Sequence, residues 1–446
     1  MSLTLKLIAD ALDLPCPKDM PIRQASIDTR TIEKDDMFVA FPGEQVNGYD
    51  YIPDAVQKGA SAVLTIKAHP DVSVPQLVYP DLEAALAKMA VAYRAIIKCK
   101  VVALTGSNGK TSVKEMLGCI LSQVGTTFVT PGNKNNHIGV PLSMLMVKDD
   151  TEYAVFELGA NHQGEIAYTV GLVQPEIALI NNIGLAHIEG FGSEEGIAKG
   201  KGEIYQGLTE NGIAIVNEDD AYAHYWDESI KNKACIRFAI ENHHADVWAE
   251  NIHGSAFTLS YAGVAEEVCL QVPGRHHIYN TLAAASMAIA LGVNLKAIAK
   301  GLSEFQGVSG RLTQKKGQGG AIILDDTYNA NLNSVVAGME VLAGYAGKRI
   351  LVLGDLGELG DKAHEHHKAI GDRARSLGLD AVFTCGDLSK AATDAFGGDA
   401  QHFTDKATLI TSLKPILDEE TTVLVKGSRS SRMEKVVAEL CLGRGW

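Results

Sequence analysis

Short apolar runs bounded by polar residues alternate along most of this chain with longer stretches in which apolar positions recur every three or four residues. Val101–Thr105, Tyr153–Glu157, Ile177–Ile180 and Ile213–Val216 read as buried strands, and the stretches between them read as helices. That alternation predicts a parallel sheet covered on both faces. A β-rich insert, VWAENIHGSAFTLSYAGVAEEVCLQVPG, precedes a helix over HHIYNTLAAASMAIALG. After SGRLTQKKGQGG the pattern restarts with four apolar runs, AIILDD, RILVLGD, DAVFTCGD and TVLVKGS, separated by amphipathic helical stretches. Residues before YPDLEAALAKMA mix short strands and turns. The expected architecture is therefore α/β in three domains: 1–82, small and mixed α/β; 83–311, a parallel sheet; and 312–446, a second parallel sheet. A length of 446 residues agrees with two or three domains.

Composition narrows the partners. The chain is 46% hydrophobic and 21% charged with 13 prolines, which is a folded globular composition. A net charge of −14 argues against a nucleic-acid backbone as the main partner, because such binding needs a basic face. Seven scattered cysteines without a CxxC pair read as reduced thiols rather than a disulfide frame or zinc site. The N-terminal MSLTLKLIADALDLP lacks the pattern of a secretion signal, and no window reaches 18 uninterrupted apolar residues. A cytoplasmic protein without membrane insertion is expected.

The chemistry concentrates where strands end. TGSNGKTS follows an apolar strand and opens a helix with Val113, Leu117, Ile120 and Leu121 on one face. Gly106 and Gly109 let backbone amides approach phosphate oxygens, and the helix offers its positive N-terminus to the same anion. Lys110 can reach the β and γ phosphates, and Thr111 can ligate Mg²⁺. The common P-loop pattern has glycine where this chain has Leu104. A loop of this kind does not name a reaction, since kinases, motors, switches and ligases share it. Downstream, FELGANHQGE ends a buried strand in Glu157, which needs a partner or a cation there. INNIGLAHIEGFGS ends another in Asn181 and Asn182, with His187 shortly after, and a helical segment then brings Lys199, Lys201 and Glu203. Thr111, Glu157 and His187 on one rim suit a Mg²⁺ site of hard ligands plus one imidazole; a lone strand-end histidine also serves as a hydrogen-bonded core residue. Asp326, Asp355, Asp387 and Lys426 end the later runs and point to a second ligand-facing rim, or simply make turns. His364, His366 and His367 read as a solvated first helical turn rather than a metal cluster.

Together, TGSNGKTS, TPGNKNNHIGVP, ELGANHQGEI, NNIGLAHIEGFGS, PGRHHIYN, SGRL, DDTYNAN, GDLGELG and KGSRSSRM resemble the Mur ligases of peptidoglycan synthesis, from about Ser26 to Met433. The shortened loop is itself that family's form. The resemblance implies an N-terminal UDP-sugar-binding domain, a central P-loop-type mononucleotide-binding domain and a C-terminal Rossmann-like domain that closes over the cleft about a hinge near Arg311. It implies that ATP is held by Gly106, Ser107, Asn108, Gly109, Lys110, Thr111 and Ser112. Asn280 would contact adenine, Arg311 the phosphates or ribose, and Asp326 the ribose. Without the resemblance, Asn280 reads as a helix cap and Arg311 as a surface residue. Ser26, Thr29, Arg30 and Asn47, from SIDTR and FPGEQVNG, would meet the uridine; Asn135, Asn136 and Asn329 would face the rest of the substrate. The implied catalytic set is Lys110, Glu157, His187 and Lys201. Lys201, or else Lys199, would be carbamylated, and Thr111, Glu157, His187 and that carbamate would hold two Mg²⁺ ions. The implied reaction is ATP-dependent, ADP-forming amide ligation, joining D-Ala-D-Ala to UDP-N-acetylmuramoyl-tripeptide through an acyl phosphate in a monomeric enzyme. The DNPR segment of the diaminopimelate- or lysine-adding relatives is absent. A folylpolyglutamate-synthase-like ligase and a nucleotide switch without turnover stand as alternatives.

Overall fold

The computed structural model of the protein describes residues 2–43 and 46–441; Glu44 and Gln45 of the FPGEQVNG segment lie outside them. The architecture is three-domain α/β, each domain built on its own sheet. The first sheet has four parallel strands in chain order, Ala25–Ser26, Met37–Val39, Ala62–Thr65 and Gln76–Val78. The helix Leu82–Arg94 then leads into the central domain. Its buried Leu82, Ala85, Leu86, Met89, Ala90 and Tyr93 join one apolar cluster with Leu5 and Ile8 before it and Val140 and Leu142 after it. The Tyr93 hydroxyl donates to the Val147 carbonyl at 2.6 Å, so this helix ties the first two domains together.

The central sheet has nine strands, with Lys100–Thr105 flanked by Tyr153–Glu157 and Ile177–Ile180, both parallel to it. Strands Tyr153–Glu157 and Ile177–Ile180 have the bounds read from the sequence, because each is an apolar run buried on both faces. The β-rich insert extends the same sheet: Val247–His253 pairs parallel with Ala234–Ala239, and Ala256–Tyr261 and Val264–Cys269 follow as antiparallel strands. Register decides what shares the rim. Leu104 lies opposite Glu157, and Thr105 opposite Ile180, so the loop after Thr105 emerges between Glu157 and Asn181.

The helix Lys110–Leu121 differs from the amphipathic helix expected. Val113, Leu117, Ile120 and Leu121 are buried as read, but Thr111, Ser112, Lys114, Met116 and Gly118 are buried too. Helices Arg275–Ala290 and Leu295–Ser303 pack against its flank and, beside it, against the same sheet. The approach is so close that a side chain at Gly301 would come within 2.5 Å of the Ile120 Cα.

The third sheet has six strands in the order Thr313–Lys316, Ile322–Asp326, Thr421–Lys426, Lys348–Gly354, Ala381–Cys385 and Ala400–Phe403, and the first pair is antiparallel. The four apolar runs are its inner strands. The two edge strands went unread because their side chains are polar and half-exposed. Asp326 lies directly opposite Lys426. Asp355 is a correction to the second ligand rim. Its carboxylate accepts from the amides of Asp387, Leu388 and Ser389, so it builds the turn that carries Asp387 rather than facing a ligand. The histidine cluster is another. Helix Ala363–Ser376 buries His366 and His367, and His367 Nε2 accepts the Leu356 amide at 3.0 Å while Nδ1 meets the Ala363 carbonyl at 2.7 Å. Of the three only His364 is exposed, so His366 and His367 face inward while His364 and Glu365 keep the other side of the turn in solvent.

Candidate active site

Gly106 (φ +154°) and Gly109 (φ +78°) bend the loop after Thr105 into a conformation unfavourable to side-chain-bearing residues, and Gly109 caps the helix that follows. Crowding alone would exclude larger residues: a Cβ at Gly109 would meet Asn280 Oδ1 at 2.2 Å and Asn181 Nδ2 at 2.6 Å. The loop is braced from the next strand end. Asn182 Oδ1 accepts the Asn108 amide at 2.8 Å, Asn181 Nδ2 donates to the Asn108 carbonyl at 2.9 Å, and Ser107 Oγ donates to the Gly184 carbonyl at 2.9 Å. Asn280 is no helix cap. It lies inside the helix Arg275–Ala290, buried, and its Oδ1 accepts from Asn181 Nδ2 at 2.9 Å.

Four predicted residues form one bonded chain that reaches the domain junction at Arg311. Arg311 donates to Thr111 Oγ1 at 2.8 Å, Thr111 donates to Glu157 Oε2 at 2.9 Å, and Asn135 Nδ2 donates to Glu157 Oε1 at 2.8 Å. Arg311 is not a free surface residue, since its guanidinium lies over the Tyr328 ring, 4.2 Å from the centroid. Lys114, which the sequence reading did not single out, is fully buried at 0% exposure and supports this chain from below. Its ammonium donates to the carbonyls of Thr130 at 2.7 Å and Gly132 at 3.2 Å, at the start of the segment that delivers Asn135. Thr130 Oγ1 in turn accepts the Glu157 amide at 3.1 Å. A lysine one turn into the helix after GKT, with no other role, was the available signal.

Two further lysines lie here, and unlike Lys114, which pairs with Glu115 at 2.9 Å, neither has a carboxylate partner among the described residues. Lys110 donates to the Gly106 carbonyl at 2.7 Å, and burial pushes its pKa below the ordinary lysine value, Arg311 adding to the effect and Glu157 opposing it. Lys201, 1% exposed, has its ammonium nitrogen 5.7 Å from the centre of the Phe191 ring and makes no hydrogen bond among the described residues. Burial first, and then the charge of Lys110, hold its pKa far below the usual range. Lys199 is exposed, and Glu203 caps the helix Glu165–Val173 by accepting the Gly164 and Ala167 amides.

His187 does not join the bonded chain around Glu157. It follows the strand Ile177–Ile180 by a loop, adopts a left-handed φ of +57°, and its Nδ1 bonds Glu358 of the C-terminal domain. That contact leaves Nε2 available, as in a metal-bound histidine whose other ring nitrogen is held by a carboxylate. Among the described residues no group of three or more His, Cys, Asp and Glu is placed to hold a metal. The donor set therefore fits hard cations that complete their shells with phosphate oxygens and water around Thr111 and Glu157. A buried amine that makes no hydrogen bond among the described residues and whose pKa is lowered by burial, as at Lys201, fits carbamylation.

A cavity of about 690 Å³ opens between the two sheets' carboxyl ends. Its walls include Ser107, Asn108, Gly109, Lys110, Ser112, Asn135, Asn136, Glu157, His187 and Asn280 from the central domain. Arg311, Asp326, Asn329 and Lys426 face them. Thr111 is bonded to two lining residues, and Lys426 Nζ bonds Asp326 Oδ2 at 2.5 Å and the Asn329 carbonyl at 3.0 Å. Burial raises the Asp326 pKa, and Lys426 holds it back. Asn331 Nδ2 reaches Asn108 Oδ1 at 2.8 Å, a direct link from the C-terminal domain to the phosphate loop. His276 also lines the cavity, and its pKa falls to about 4 through burial and the charge of Lys426. Ser26, Thr29, Arg30 and Asn47 lie on the first domain and do not line this cavity. There Arg30 grips Asp28 through two nitrogens, at 2.9 and 2.7 Å, lowering the Asp28 pKa to about 2. Asn47 Oδ1 caps the turn Gly48–Tyr51 through the Tyr49 amide.

Family models match in the order of the three sheets: "Mur ligase family, catalytic domain" over residues 21–94, "Mur ligase middle domain" over 104–288, and "Mur ligase, glutamate ligase domain" over 310–429. The UDP-N-acetylmuramoyl-tripeptide--D-alanyl-D-alanine ligase of Escherichia coli K12 is 44% identical over 99% of this chain and 98% of its own length. The chain belongs to the Mur ligase family. This Mur ligase superposes on MurF from Acinetobacter baumannii with a TM-score of 0.90 at 35% identity, covering 99% of each chain. It superposes on MurF from Thermotoga maritima in complex with ADP with a TM-score of 0.81 at 26% identity, covering 94% of this chain and 96% of that one. Among the described residues of the Mur ligase, no helix is long and apolar enough to cross a membrane.

Proposed function

We propose that this Mur ligase joins D-Ala-D-Ala to the terminal carboxylate of UDP-N-acetylmuramoyl-tripeptide, converting ATP to ADP and phosphate, as a cytoplasmic monomer. The observation that carries the reading is the bonded chain Arg311, Thr111, Glu157 and Asn135, which joins a phosphate loop to both walls of one cavity. The substrates are those in the names of the full-length relatives. In this reading residues 1–82 receive the UDP-sugar through Ser26, Thr29, Arg30 and Asn47, residues 83–311 hold ATP, and residues 312–446 bring the amine.

The tripeptide carboxylate attacks the γ-phosphorus, the bond to the β-phosphate oxygen breaks, and ADP and an acyl phosphate result. The protein contributes position and charge to this step. Lys110 exchanges its bond to the Gly106 carbonyl for phosphate oxygens, and the loop amides of Ser107 to Ser112 surround the same group. Asn280 meets the adenine and Asp326 the ribose, while Asn135, Asn136 and Asn329 fix the muramoyl peptide. Arg311, sandwiched between Tyr328 and Thr111, bridges the phosphates to the domain junction. Two Mg²⁺ ions, held by Thr111, Glu157, His187 and carbamylated Lys201, would neutralise charge developing on the phosphoryl oxygens. The dipeptide amine then attacks the acyl carbon, and the C–O bond to phosphate breaks. Enclosure by both domains keeps water from the acyl phosphate.

The test is ADP release by the purified protein with Mg-ATP, UDP-N-acetylmuramoyl-tripeptide and D-Ala-D-Ala, against each omission and against folate plus glutamate. Turnover that requires both peptide substrates is expected. Turnover with folate and glutamate instead, or ATP binding without turnover in any mixture, would overturn the reading.

A further inference from the structure

A second cavity, of about 270 Å³, adjoins the first and shares Ala186, His187, Asn329, Ala330 and Asn331 with it. It is smaller than the roughly 300 Å³ at which sites for drug-sized ligands begin, so its occupant is small. Its charged lining consists of one carboxylate, Glu358, and one guanidinium, Arg429, with Ser428 and Ser430 beside the latter. One negative and one positive side chain facing a small cavity suit a zwitterion.

The two charges are ordered relative to the reaction. Glu358 is bonded to His187, and His187 lines both cavities, so the negative end adjoins the large one. Arg429 lines only the small cavity. Its side chain is 68% exposed, its nearest carboxylate is Glu434 at 3.7 Å, and its guanidinium makes no hydrogen bond among the described residues. The backbone that carries it is nonetheless rigidly held. Ser428 Oγ and Ser431 Oγ both donate to the Asp355 carbonyl at 2.6 Å, and the Asp355 carboxylate holds the neighbouring turn at Leu388 and Ser389. A charged fork with only a long ion pair and no hydrogen bond of its own among the described residues, carried on a fixed turn, is the arrangement that binds a carboxylate with two parallel hydrogen bonds.

We propose that this second cavity seats the incoming dipeptide, with its C-terminal carboxylate on Arg429 and its amino end beside Glu358, pointing into the large cavity. The assignment rests on the ligase reading above and adds to it the residue that selects an acceptor with a free carboxylate. Arg429 is then a specificity-determining residue, remote from the bond that forms.

The experiment compares wild type with Arg429→Met and Arg429→Lys, using D-Ala-D-Ala, its C-terminal amide, and hydroxylamine, a nucleophile with no carboxylate that traps the acyl phosphate as a hydroxamate. Arg429→Met is expected to raise the KM for D-Ala-D-Ala about 10- to 100-fold, the worth of a hydrogen bond to a charged group. It should also abolish the preference for the dipeptide over its amide. Hydroxamate formation and the KM for Mg-ATP should stay within about twofold, as the exposed site predicts no loss of fold. Arg429→Lys should recover part of the preference, since it restores the charge without the fork. An unchanged KM, or an acid-over-amide preference that survives Arg429→Met, would overturn the assignment while leaving the ligase intact. A wild type that forms hydroxamate but never uses D-Ala-D-Ala would overturn both this assignment and the proposed acceptor.

Discussion

The central and C-terminal rims of the cavity each combine lysine with a strand-end carboxylate, yet they balance charge in opposite ways. At the C-terminal rim Asp326 and Lys426 sit opposite each other on neighbouring strands and pair at 2.5 Å. At the central rim the oxygens of Glu157 are taken by the neutral donors Thr111 and Asn135, while Lys110 bonds only carbonyls and Lys201 only approaches a ring. Burying an unpaired ionisable group is costly, and both lysines answer by lowering their pKa. The difference teaches which rim is complete in itself. The C-terminal pair is satisfied by its own chain, and on the proposed reading phosphate, a cation and carbon dioxide complete the central rim.

Removing a charge should therefore damage function at one rim and stability at the other. The largest effect is expected from Lys110→Met, which should lower kcat about 10³-fold, in line with losing one preorganised charged donor. Its urea midpoint should barely move. Lys201→Ala should lose about 10²-fold or more in ADP release and regain part of it when small carboxylic acids are added; unimpaired turnover would remove Lys201 from the site. Lys426→Met should instead destabilise the protein by about 3 kcal/mol in urea unfolding, because Asp326 loses its ion-pair partner. If Lys110→Met unfolded the protein as readily as Lys426→Met, the contrast would fail.

The smallest effect concerns His276, which lies between the rims. Its folded pKa, about 4, is below the unfolded value of about 6.5. The unfolded chain therefore takes up the proton first on acidification. Stability from keeping this ring neutral is full above about pH 6.5 and falls as pH drops toward 4, by about 2 kcal/mol at pH 5. A His276→Asn variant should show a flatter stability profile between pH 7 and 5, read by urea unfolding at each pH.

What the sequence made legible follows from how local each feature is. The strand Tyr153–Glu157, its terminal carboxylate and the glycine loop are short-range patterns, and the strand and the loop's glycine-dependent turn have the expected form. The helical face of His366 and His367 is set by packing against the Leu356 segment, which periodicity in a polar first turn does not reveal. Asp355 ends an apolar run much as Asp326 does, and only tertiary contacts separate a turn-builder from a rim residue. The link from Asn331 to Asn108 joins positions 223 residues apart, and DDTYNAN offers no hint of which asparagine would make it. Lys201 and Lys199 are two residues apart on one helix; burial of the first and exposure of the second separate them.

The most direct test of the incomplete rim is carbon-13 NMR of the protein equilibrated with ¹³C-bicarbonate. A single carbamate resonance is expected in wild type and in Lys426→Met, and it should vanish in Lys201→Ala. A spectrum without that resonance in wild type, or one in which it survives Lys201→Ala, would contradict the claim that the central rim leaves a lysine to be completed from solution.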